Sequence, residues 1–445
     1  MPGRLGHDSQ GKRMKGAAIN PNLMKSIIWV ELKISTITDK FPSLFHVLIF
    51  LSYRSIYFAA SITMSDYPVI RWNEADEEQS ARWCSEKGMP PPKRVLVIDD
   101  RMTADTAFRL ACEGTALLWR GDFQNARQLL QALARRADKK LLERKEKKAA
   151  ASPAETFHLH RQTQSQRART LGSLLIPLNA DHSIPLRRAP DVRSACLEAY
   201  GPSAEAYIAS LRELQGLIGA YEWRKKGIEI PALGARIHPH YGVFAPIRSE
   251  YVKLVAEAPL PELVTTQSSA FDVGTGTGIL AAVLACRGIQ RIVATDQDLR
   301  ALDCARENLR RLGLANQVDV MQANLFPEGQ ASLIVCNPPW IPARPSSPLE
   351  NAIFDPESCM LRGFLQGLSV HLAPGGEGWL ILSDFAEHLE LRTRAELLSA
   401  IDAAGLKVLS KTDVKPHHPR VSDISDPLHA ARAAELTSLW RLAAK

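Results

Sequence analysis

The stretch FDVGTGTGIL, from Phe271 to Leu280, sets three alternating glycines between two apolar runs. From Ala270 onward, short β-rich runs alternate with runs of helical periodicity, at the spacing that a parallel sheet with crossover helices requires. This alternation predicts an α/β fold with a doubly wound, seven-stranded, mostly parallel sheet. Gly288 and Gly313 are predicted to end two of its helices, because glycine readily adopts the left-handed conformation that follows a helix. The predicted strands are SAFDVG, RIVATD, QVDVMQAN, SLIVCN, EGWLILS, LKVLSKTDV and LTSLWRLA.

The glycine turn has the pattern D-x-G-x-G-x-G, formed by Asp272, Gly274, Gly276 and Gly278 between a predicted strand and a predicted helix. A side chain in a left-handed backbone conformation costs about 1 to 2 kcal/mol, whereas glycine adopts it freely and lets a ligand lie against the backbone. The glycine spacing alone is also compatible with a turn that binds no ligand. The prediction of a ligand therefore depends on the segments that follow.

A carboxylate at the end of the next predicted strand favours a nucleoside ligand. Asp296, in VATDQD, is placed to accept hydrogen bonds from both hydroxyl groups of a ribose. The same geometry serves NAD, which is the competing ligand. Asp272 favours S-adenosylmethionine, because its carboxylate suits the positively charged amino-acid end of that molecule, directly or through water, and would be unhelpful beside a pyrophosphate.

The segment LIVCNPPW places Asn337, Pro338, Pro339 and Trp340 directly after a predicted strand. Asn-Pro-Pro alone is common turn material, because proline fixes φ and forces the preceding residue into an extended conformation. Beside a methyl donor, however, the Asn337 side-chain oxygen and the Pro338 carbonyl oxygen can both accept hydrogen bonds from one NH2 group. This would draw the nitrogen lone pair out of conjugation and restore its reactivity. The four residues are therefore predicted to be the catalytic segment.

Trp340 is predicted to stack on a planar substrate and so to contribute to substrate binding as well. The alternative, that it only fills the core, is less favoured because the following IPARPSSP is loop-like. No strong general base is needed in this segment, since the nitrogen becomes acidic after methylation and can lose its proton to water.

Together these residues resemble class I S-adenosylmethionine-dependent methyltransferases with a methyltransferase small domain. This group includes release-factor glutamine methyltransferases and ribosomal RNA N-methyltransferases. The resemblance covers about Gly242 to Leu442 and implies a Rossmann-like methyltransferase fold with S-adenosylmethionine as cofactor. It also implies that Asp272 and the three glycines border the methionine end of the cofactor, and that Asp296 holds the ribose.

Further assignments come from the same resemblance. Phe244, in GVFAPIRSEY, would cover the methyl site and contact the substrate, and Asn324, in QANLF, would lie at the adenine. The chain departs from the family pattern at three points. Members often have Asp in place of Asn324, the usual Phe-Asp before the motif strand is Ala331-Ser332 here, and the usual Tyr of the motif is Trp340, which keeps an aromatic ring but reshapes the pocket.

Composition indicates a globular protein, since 45% of residues are apolar and 23% charged, and 445 residues exceed what one core usually serves. Lys and Arg number 55 against 48 Asp and Glu, a mildly basic balance that permits nucleic acid without requiring it. The seven scattered cysteines form no Cys-x-x-Cys pair, and the paired histidines lack further ligands. A reducing, cytoplasmic location without a metal site is therefore predicted.

Three regions are predicted: residues 1–63 as a disordered or misassigned extension, 64–237 as an N-terminal substrate-recognition domain, here called the front domain, and 238–445 as the methyltransferase domain. The apolar stretch Ser43 to Thr63, interrupted by Arg54, leaves a membrane anchor open. Its clean apolar run is shorter than the about 20 residues that span a bilayer, so we predict no membrane contact. RVLVIDD, from Arg94, predicts a buried strand followed by helices, so the front domain is α/β or helical.

The combined prediction is an S-adenosylmethionine-dependent N-methyltransferase acting on an amide or exocyclic amine of a macromolecule. An RNA purine and a protein glutamine both remain open as acceptors. The basic segment Arg135–Lys148, with Arg161, Arg167 and Arg169, slightly favours RNA, although such a run is more typical of a solvated helix. The alternative is a non-catalytic nucleic-acid-binding or protein-binding module with the same fold, and the intact Asn-Pro-Pro argues against it.

Overall fold

The computed structural model describes residues 67–145, 152–267, 269–346, 348–417 and 421–445. The predictions for residues 1–63 and for the last part of the basic segment, 146–148, lie outside the described residues. Pro68–Lys445 is one compact unit, and its described residues contain two large β-sheets and a short hairpin.

The amino-terminal part of this unit is an α/β structure. Its strands are β1 (Val69–Glu74), β2 (Glu77–Cys84), β3 (Val95–Ile98), β4 (Ala116–Trp119), β5 (Leu174–Leu178) and β6 (Tyr207–Ser210). Its helices are α1 (Ala104–Cys112), α2 (Phe123–Lys145), α3 (Pro153–Gly172), α4 (Arg193–Tyr200) and α5 (Leu211–Lys226). The strands lie in the order β1-β2-β6-β5-β4-β3, with β2–β6, β5–β4 and β4–β3 parallel. The α/β alternative for the front domain is therefore the correct one.

The strand predicted from RVLVIDD exists as β3, but the prediction that it is buried was wrong. It lies at the edge of the sheet and pairs only with β4 among the described strands. Leu96 on this strand is 41% exposed. The central strands β4 and β5, in contrast, are buried at every residue, as expected where both faces of a sheet are covered.

The carboxyl-terminal part begins with a hairpin of β7 (Ile228–Ile230) and β8 (Ala235–Ile237), joined by a 3-10 turn at Pro231–Leu233. The strands that follow are β9 (Ser269–Val273), β10 (Arg291–Asp296), β11 (Val318–Gln322), β12 (Ala331–Cys336), β13 (Leu372–Ser383), β14 (Leu406–Val414) and β15 (Thr437–Ala444). The helices are α6 (Glu250–Glu257), α7 (Glu262–Gln267), α8 (Ile279–Cys286), α9 (Leu299–Arg311), α10 (Cys359–His371), α11 (Phe385–His388), α12 (Arg394–Ala403) and α13 (His429–Ala434), with further 3-10 turns at Pro348–Ala352 and Pro356–Ser358.

The strands of this second sheet lie in the order β11-β10-β9-β12-β13-β15-β14 in the described part of the chain. The pairings are parallel except those of β15 with β13 and with β14. The Rossmann-like, mostly parallel arrangement is therefore confirmed, and each predicted strand segment overlaps one of these strands. Gly288 and Gly313 follow α8 and α9 with φ of +92° and +73°, so the predicted helix ends are also confirmed.

The topology brings the ends of β9 and β12 together. From β9 the chain proceeds outward through β10 and β11, and then returns to β12 on the other side of β9. Val273 at the end of β9 pairs with Cys336 at the end of β12. Open α/β sheets bind ligands where the strand order reverses in this way, at the carboxyl ends of the strands. The glycine turn and Asn337 therefore follow neighbouring strand ends.

Helices pack on the second sheet in two separate hydrophobic clusters. Every residue of α8 from Ile279 to Ala285 is buried, which explains why this helix is apolar all around. Ile230 and Ile237 of the hairpin pack into the same core. The boundary predicted between residues 237 and 238 stays a prediction.

The front part contacts the carboxyl-terminal part through α3. Phe157 is buried in one cluster with Ile341 and Phe354, which lie in the segment after Trp340. Arg161, one turn later, pairs with Glu350 at 3.3 Å, and its guanidinium lies 4.1 Å from the centre of the Phe354 ring. Helix α3 therefore packs directly on the segment that follows the Asn-Pro-Pro motif. Among the helices of the described residues, none is long and apolar enough to cross a membrane.

Candidate active site

The glycine turn is held against the end of β10 by its own backbone. The amides of Gly274 and Thr275 both donate to the Thr295 carbonyl oxygen, at 2.9 and 2.8 Å. Gly274, Gly276 and Gly278 have φ of +74°, +55° and +80°, the left-handed region that favours glycine. These contacts turn the chain sharply between β9 and α8.

The three glycines also differ in their surroundings. A Cβ on Gly274 would lie 2.6 Å from the Met360 methyl group, and a Cβ on Gly278 would lie 3.2 Å from Ala305. A Cβ on Gly276 would meet nothing within 4 Å. Gly278 therefore permits close packing of α8 against α9, whereas Gly276 leaves open space beside the backbone.

Asp272 is buried beneath the turn, where it is 1% exposed. Its Oδ2 accepts hydrogen bonds from the Thr275 hydroxyl at 2.6 Å and from the Ala281 amide at 2.9 Å. Its Oδ1 is buried and has no hydrogen-bond partner among the described residues. Burial raises the pKa of this carboxyl to about 6, although the two hydrogen bonds oppose the shift. The carboxylate thus fixes the turn, and its second oxygen is a buried acceptor.

This burial predicts a pH-dependent stability. Because the pKa of Asp272 is raised to about 6 from an ordinary 3.8, its contribution to stability is greatest below pH 4 and is lost as pH rises through 6. Asp272→Asn cannot ionise and keeps an oxygen for the Thr275 and Ala281 donors. The unfolding free energy of the variant relative to wild type is therefore expected to increase by about 2 kcal/mol between pH 4 and pH 7.

Urea unfolding of the cofactor-free protein at both pH values would measure this difference. The exposed Asp319 on β11 provides the matched control, Asp319→Asn, for which we expect no comparable pH-dependent gain. If the unfolding free energies of wild type and Asp272→Asn changed equally with pH, the raised pKa of Asp272 would be contradicted.

Asp296 lies at the end of β10 and faces the turn. One of its oxygens accepts a hydrogen bond from the Gly276 amide at 3.0 Å, and the other accepts one from the Asp298 amide at 3.0 Å. Burial raises the pKa of Asp296 above its ordinary value. Each carboxylate oxygen has a second lone pair, so Asp296 can still accept hydrogen bonds from a ligand.

The Asn-Pro-Pro-Trp segment leaves β12 with an internal hydrogen bond. The Trp340 indole N–H donates to Asn337 Oδ1 at 2.9 Å. The Arg248 guanidinium lies 5.2 Å from the centre of the Trp340 ring, so one side of the indole has a cation against it. The indole bond uses one lone pair of Asn337 Oδ1 and orients the amide, leaving the second lone pair for another donor.

One cleft of about 2190 Å³ connects these features. Most of the predicted site residues line it, namely Phe244, Gly274, Gly276, Asp296, Asn324, Asn337, Pro338, Pro339 and Trp340. Asp272 and Gly278 are not on its wall but support the turn from beneath. Asn324 is exposed and Phe244 is partly buried. The roles assigned to these residues stay predictions.

The cleft also contains functional candidates that the sequence did not indicate. Glu435, only 1% exposed, accepts hydrogen bonds from Arg248 at 3.0 Å and from the Ser383 hydroxyl at 2.7 Å. Arg248 lies within the quoted segment GVFAPIRSEY and could have been considered there. Glu435 lies two residues before β15 with no motif around it, so only the sheet order reveals its position next to Arg248.

Cys336, at the end of β12, is buried, which raises the pKa of its thiol well above the ordinary value. All seven cysteines are free. In the described ranges, no group of three or more His, Cys, Asp or Glu side chains is arranged to hold a metal ion.

Comparison with known families supports the resemblance seen in the sequence. Residues 235–391 match the family described as "Methyltransferase small domain". The resemblance to methyltransferases is therefore confirmed for this part of the chain.

Among curated relatives, the ribosomal protein L11 methyltransferase of Symbiobacterium thermophilum is 34% identical over 140 residues, which are 32% of this chain and 45% of that protein. The release factor glutamine methyltransferase of Xylella fastidiosa is 34% identical over 125 residues, 25% of this chain and 44% of the relative. The chain thus spans about half the length of the curated relatives it matches. A solved ribosomal protein L11 methylase of Lactobacillus delbrueckii subsp. bulgaricus has 17% identity and a TM-score of 0.30, over 44% of this chain and 78% of that one.

Proposed function

We propose that this chain, whose residues 235–391 match the methyltransferase small domain, transfers a methyl group from S-adenosylmethionine to a side-chain amide nitrogen of a protein. The observation that carries the proposal is the placement of Asn337 directly after β12, which pairs with the strand that leads into the glycine turn, in the same cleft as Asp296. A methyl donor on the turn and an acceptor nitrogen at Asn337 would then be neighbours.

The residues around the turn fit the cofactor. The open space at Gly276 can receive a ligand against the backbone, and the unpaired Asp272 Oδ1 can interact with an ammonium group through water. Asp296 would hold the ribose hydroxyls, and Asn324 would lie at the adenine. When bound, S-adenosylmethionine supplies an electrophilic methyl group on a sulfonium sulfur.

Asn337 and Pro338 would hold the acceptor. The free lone pair of Asn337 Oδ1 and the Pro338 carbonyl oxygen would each accept one hydrogen of the NH2 group, which localises the nitrogen lone pair toward the methyl donor. Pro339 holds the segment in an extended turn, and the bond from Trp340 keeps the Asn337 oxygen in place. Phe244 and Trp340 would contact the flat amide and exclude water. The proton leaves to water after transfer.

Two observations favour protein over RNA as the acceptor. The named relatives act on ribosomal protein L11 and on a release factor glutamine. In addition, two cations that suggested RNA are paired within the chain: Arg161 with Glu350 at 3.3 Å, and Arg167 with Asp138 at 2.6 Å. The front domain would bind the protein substrate, in the cytoplasm. An RNA amine remains the second candidate acceptor, and a binding module without activity remains the rival from another class.

The experiment is methyl transfer from radiolabelled S-adenosylmethionine into a lysate of the source cells, followed by separation of protein from RNA. Label in the protein fraction, lost with Asn337→Ala, supports the proposal. Label in the RNA fraction would identify an RNA amine as the acceptor. Label in neither fraction, with cofactor binding intact, would favour the binding module and overturn the proposal.

A further inference from the structure

The cleft extends beyond the Asn-Pro-Pro-Trp segment to α3 and α5, where Arg169, Ser210 and Arg212 line its wall. Arg169 is exposed, and Arg212 is partly buried. Neither arginine has an ion-pair partner within the described ranges, although most arginines on the cleft wall do. This part of the cleft, called here the front end, therefore presents two guanidinium groups that form no ion pair in the described part of the chain, although the Glu213 carboxylate also lines the cleft.

Two buried polar atoms at the front end also have no hydrogen-bond partner in the described part of the chain. Ser210 is only 8% exposed, and its hydroxyl is one of them; the other is Nη1 of Arg212. Leaving such atoms unsatisfied costs free energy, so native structures usually pair them with protein, water or a ligand. Burial, and after it the neighbouring Arg167, lowers the pKa of Arg212. An anion would satisfy both groups and offset the cost of the buried charge.

The end of a helix adds to the same environment. Ser210 is the N-cap residue of the 16-residue helix α5, but its side chain makes no capping hydrogen bond. A helix N-terminus carries partial positive charge and free amide donors, which favour an anion nearby. A hydroxyl, a guanidinium and a helix N-terminus at one point of the wall are the groups that bind a carboxylate or a phosphate.

The other charges of the cleft favour a single carboxylate over a chain of phosphates. The remaining arginines of the wall are paired: Arg161 with Glu350, Arg248 with Glu435, and Arg432 with Asp426. Asp298 and Asp423 add exposed carboxylates to the lining. A nucleic acid has a negative charge at every nucleotide and needs cations along its path, whereas a polypeptide with one acidic side chain needs them only at the front end.

We propose that Arg169, Ser210 and Arg212 bind a carboxylate side chain of the polypeptide that presents the acceptor nitrogen. The identity of that polypeptide as a substrate rests on the proposed function. Arg161, beside the segment after Trp340, and Arg169 are roughly 12 Å apart along α3 at 1.5 Å per residue. That length corresponds to about four residues of extended chain. We therefore expect the acidic residue to lie about four or more residues from the methylated one.

Fluorescence anisotropy with the full chain at low salt tests this site without requiring methyl transfer. The probe is a labelled Gly-Ser peptide with one central glutamine and a glutamate about six residues away on each side, a spacing that an extended chain can bridge. In the matched peptide, glutamines replace both glutamates. Wild type is expected to bind the glutamate peptide about tenfold more tightly, and Arg169→Gln with Arg212→Gln is expected to abolish that preference.

The control variant is Arg310→Gln, which removes an exposed arginine of α9 outside the cleft and should keep the preference. Arg169→Gln alone, at an exposed position, gives a partial loss and tests the site if the double variant does not fold. Equal binding of both peptides to wild type would overturn the proposal, as would an unchanged preference in the double variant. Tighter arginine-dependent binding of hexauridylate would assign the site to RNA instead. If wild type binds the two peptides equally but methylates protein, this site alone is refuted. If wild type prefers the glutamate peptide but transfers no methyl group, only the proposed function is refuted.

Discussion

Replacing Asn337 with alanine is expected to slow methyl transfer on the order of 100-fold while leaving cofactor affinity nearly unchanged. The substitution removes the oxygen that would accept a hydrogen of the reacting NH2 group, and it leaves the glycine turn and Asp296 intact. Single-turnover transfer at saturating labelled cofactor measures the rate, and calorimetry measures cofactor affinity. A variant with wild-type turnover would contradict the role of Asn337.

Asn337 also accepts the Trp340 indole hydrogen bond, so a second variant separates the two roles. Trp340→Phe keeps an aromatic ring and the Asn337 oxygen, and we expect a smaller loss of rate than with Asn337→Ala. Equal losses would indicate that Asn337 acts mainly by holding Trp340. Asn316→Ala changes an exposed asparagine outside the cleft and should leave the rate unchanged.

Replacing Asp296 with alanine is expected to cost about 1.5 to 3 kcal/mol of cofactor binding, because charge-assisted hydrogen bonds to the ribose are lost. The Gly276 amide also loses its acceptor, so the turn itself becomes less well held. Titration calorimetry with S-adenosylmethionine measures the change directly. Undiminished affinity would refute the assignment of Asp296 to the ribose.

Asp296→Asn separates the two effects of Asp296 on cofactor affinity, namely its hydrogen bonds to the ribose and its support of the glycine turn. The amide oxygen can still accept the hydrogen bond from Gly276, but the negative charge is gone. We therefore expect a loss of cofactor affinity that is smaller than the loss caused by Asp296→Ala. Asp303→Ala removes an exposed carboxylate of α9 away from the cleft and serves as the matched control. A loss of affinity with this control would point to a general charge effect.

Local signals explain what the sequence could predict. The strands of the second sheet have period-two or continuous apolar patterns, and Gly276 and Gly278 occupy backbone conformations that only glycine adopts without strain. Asn337 could be placed because it directly follows such a strand. Each of these features depends on a few adjacent residues, so it could be predicted without knowledge of the contacts between distant parts of the chain.

Contacts between distant residues explain what the sequence could not predict. Arg161 was interpreted as a cation for RNA, but its partner Glu350 lies 189 residues further along the chain. RVLVIDD is apolar enough for a central strand, yet strand order is a property of the whole sheet and places β3 at the edge. Glu435 reaches Arg248 only because β15 inserts between β13 and β14.

Under the proposed function, the packing of α3 on the segment after Trp340 has a consequence for how substrate specificity can change. Phe157 and Arg161 support Ile341, Glu350 and Phe354 from outside the matched family region. Under the proposed function, the front domain would therefore be a structural support of the segment after Trp340 and not an independent module. Exchange of the front domain between homologues would disturb the segment after Trp340. We therefore expect substrate specificity to change more readily by single substitutions along the cleft wall than by exchange of whole domains.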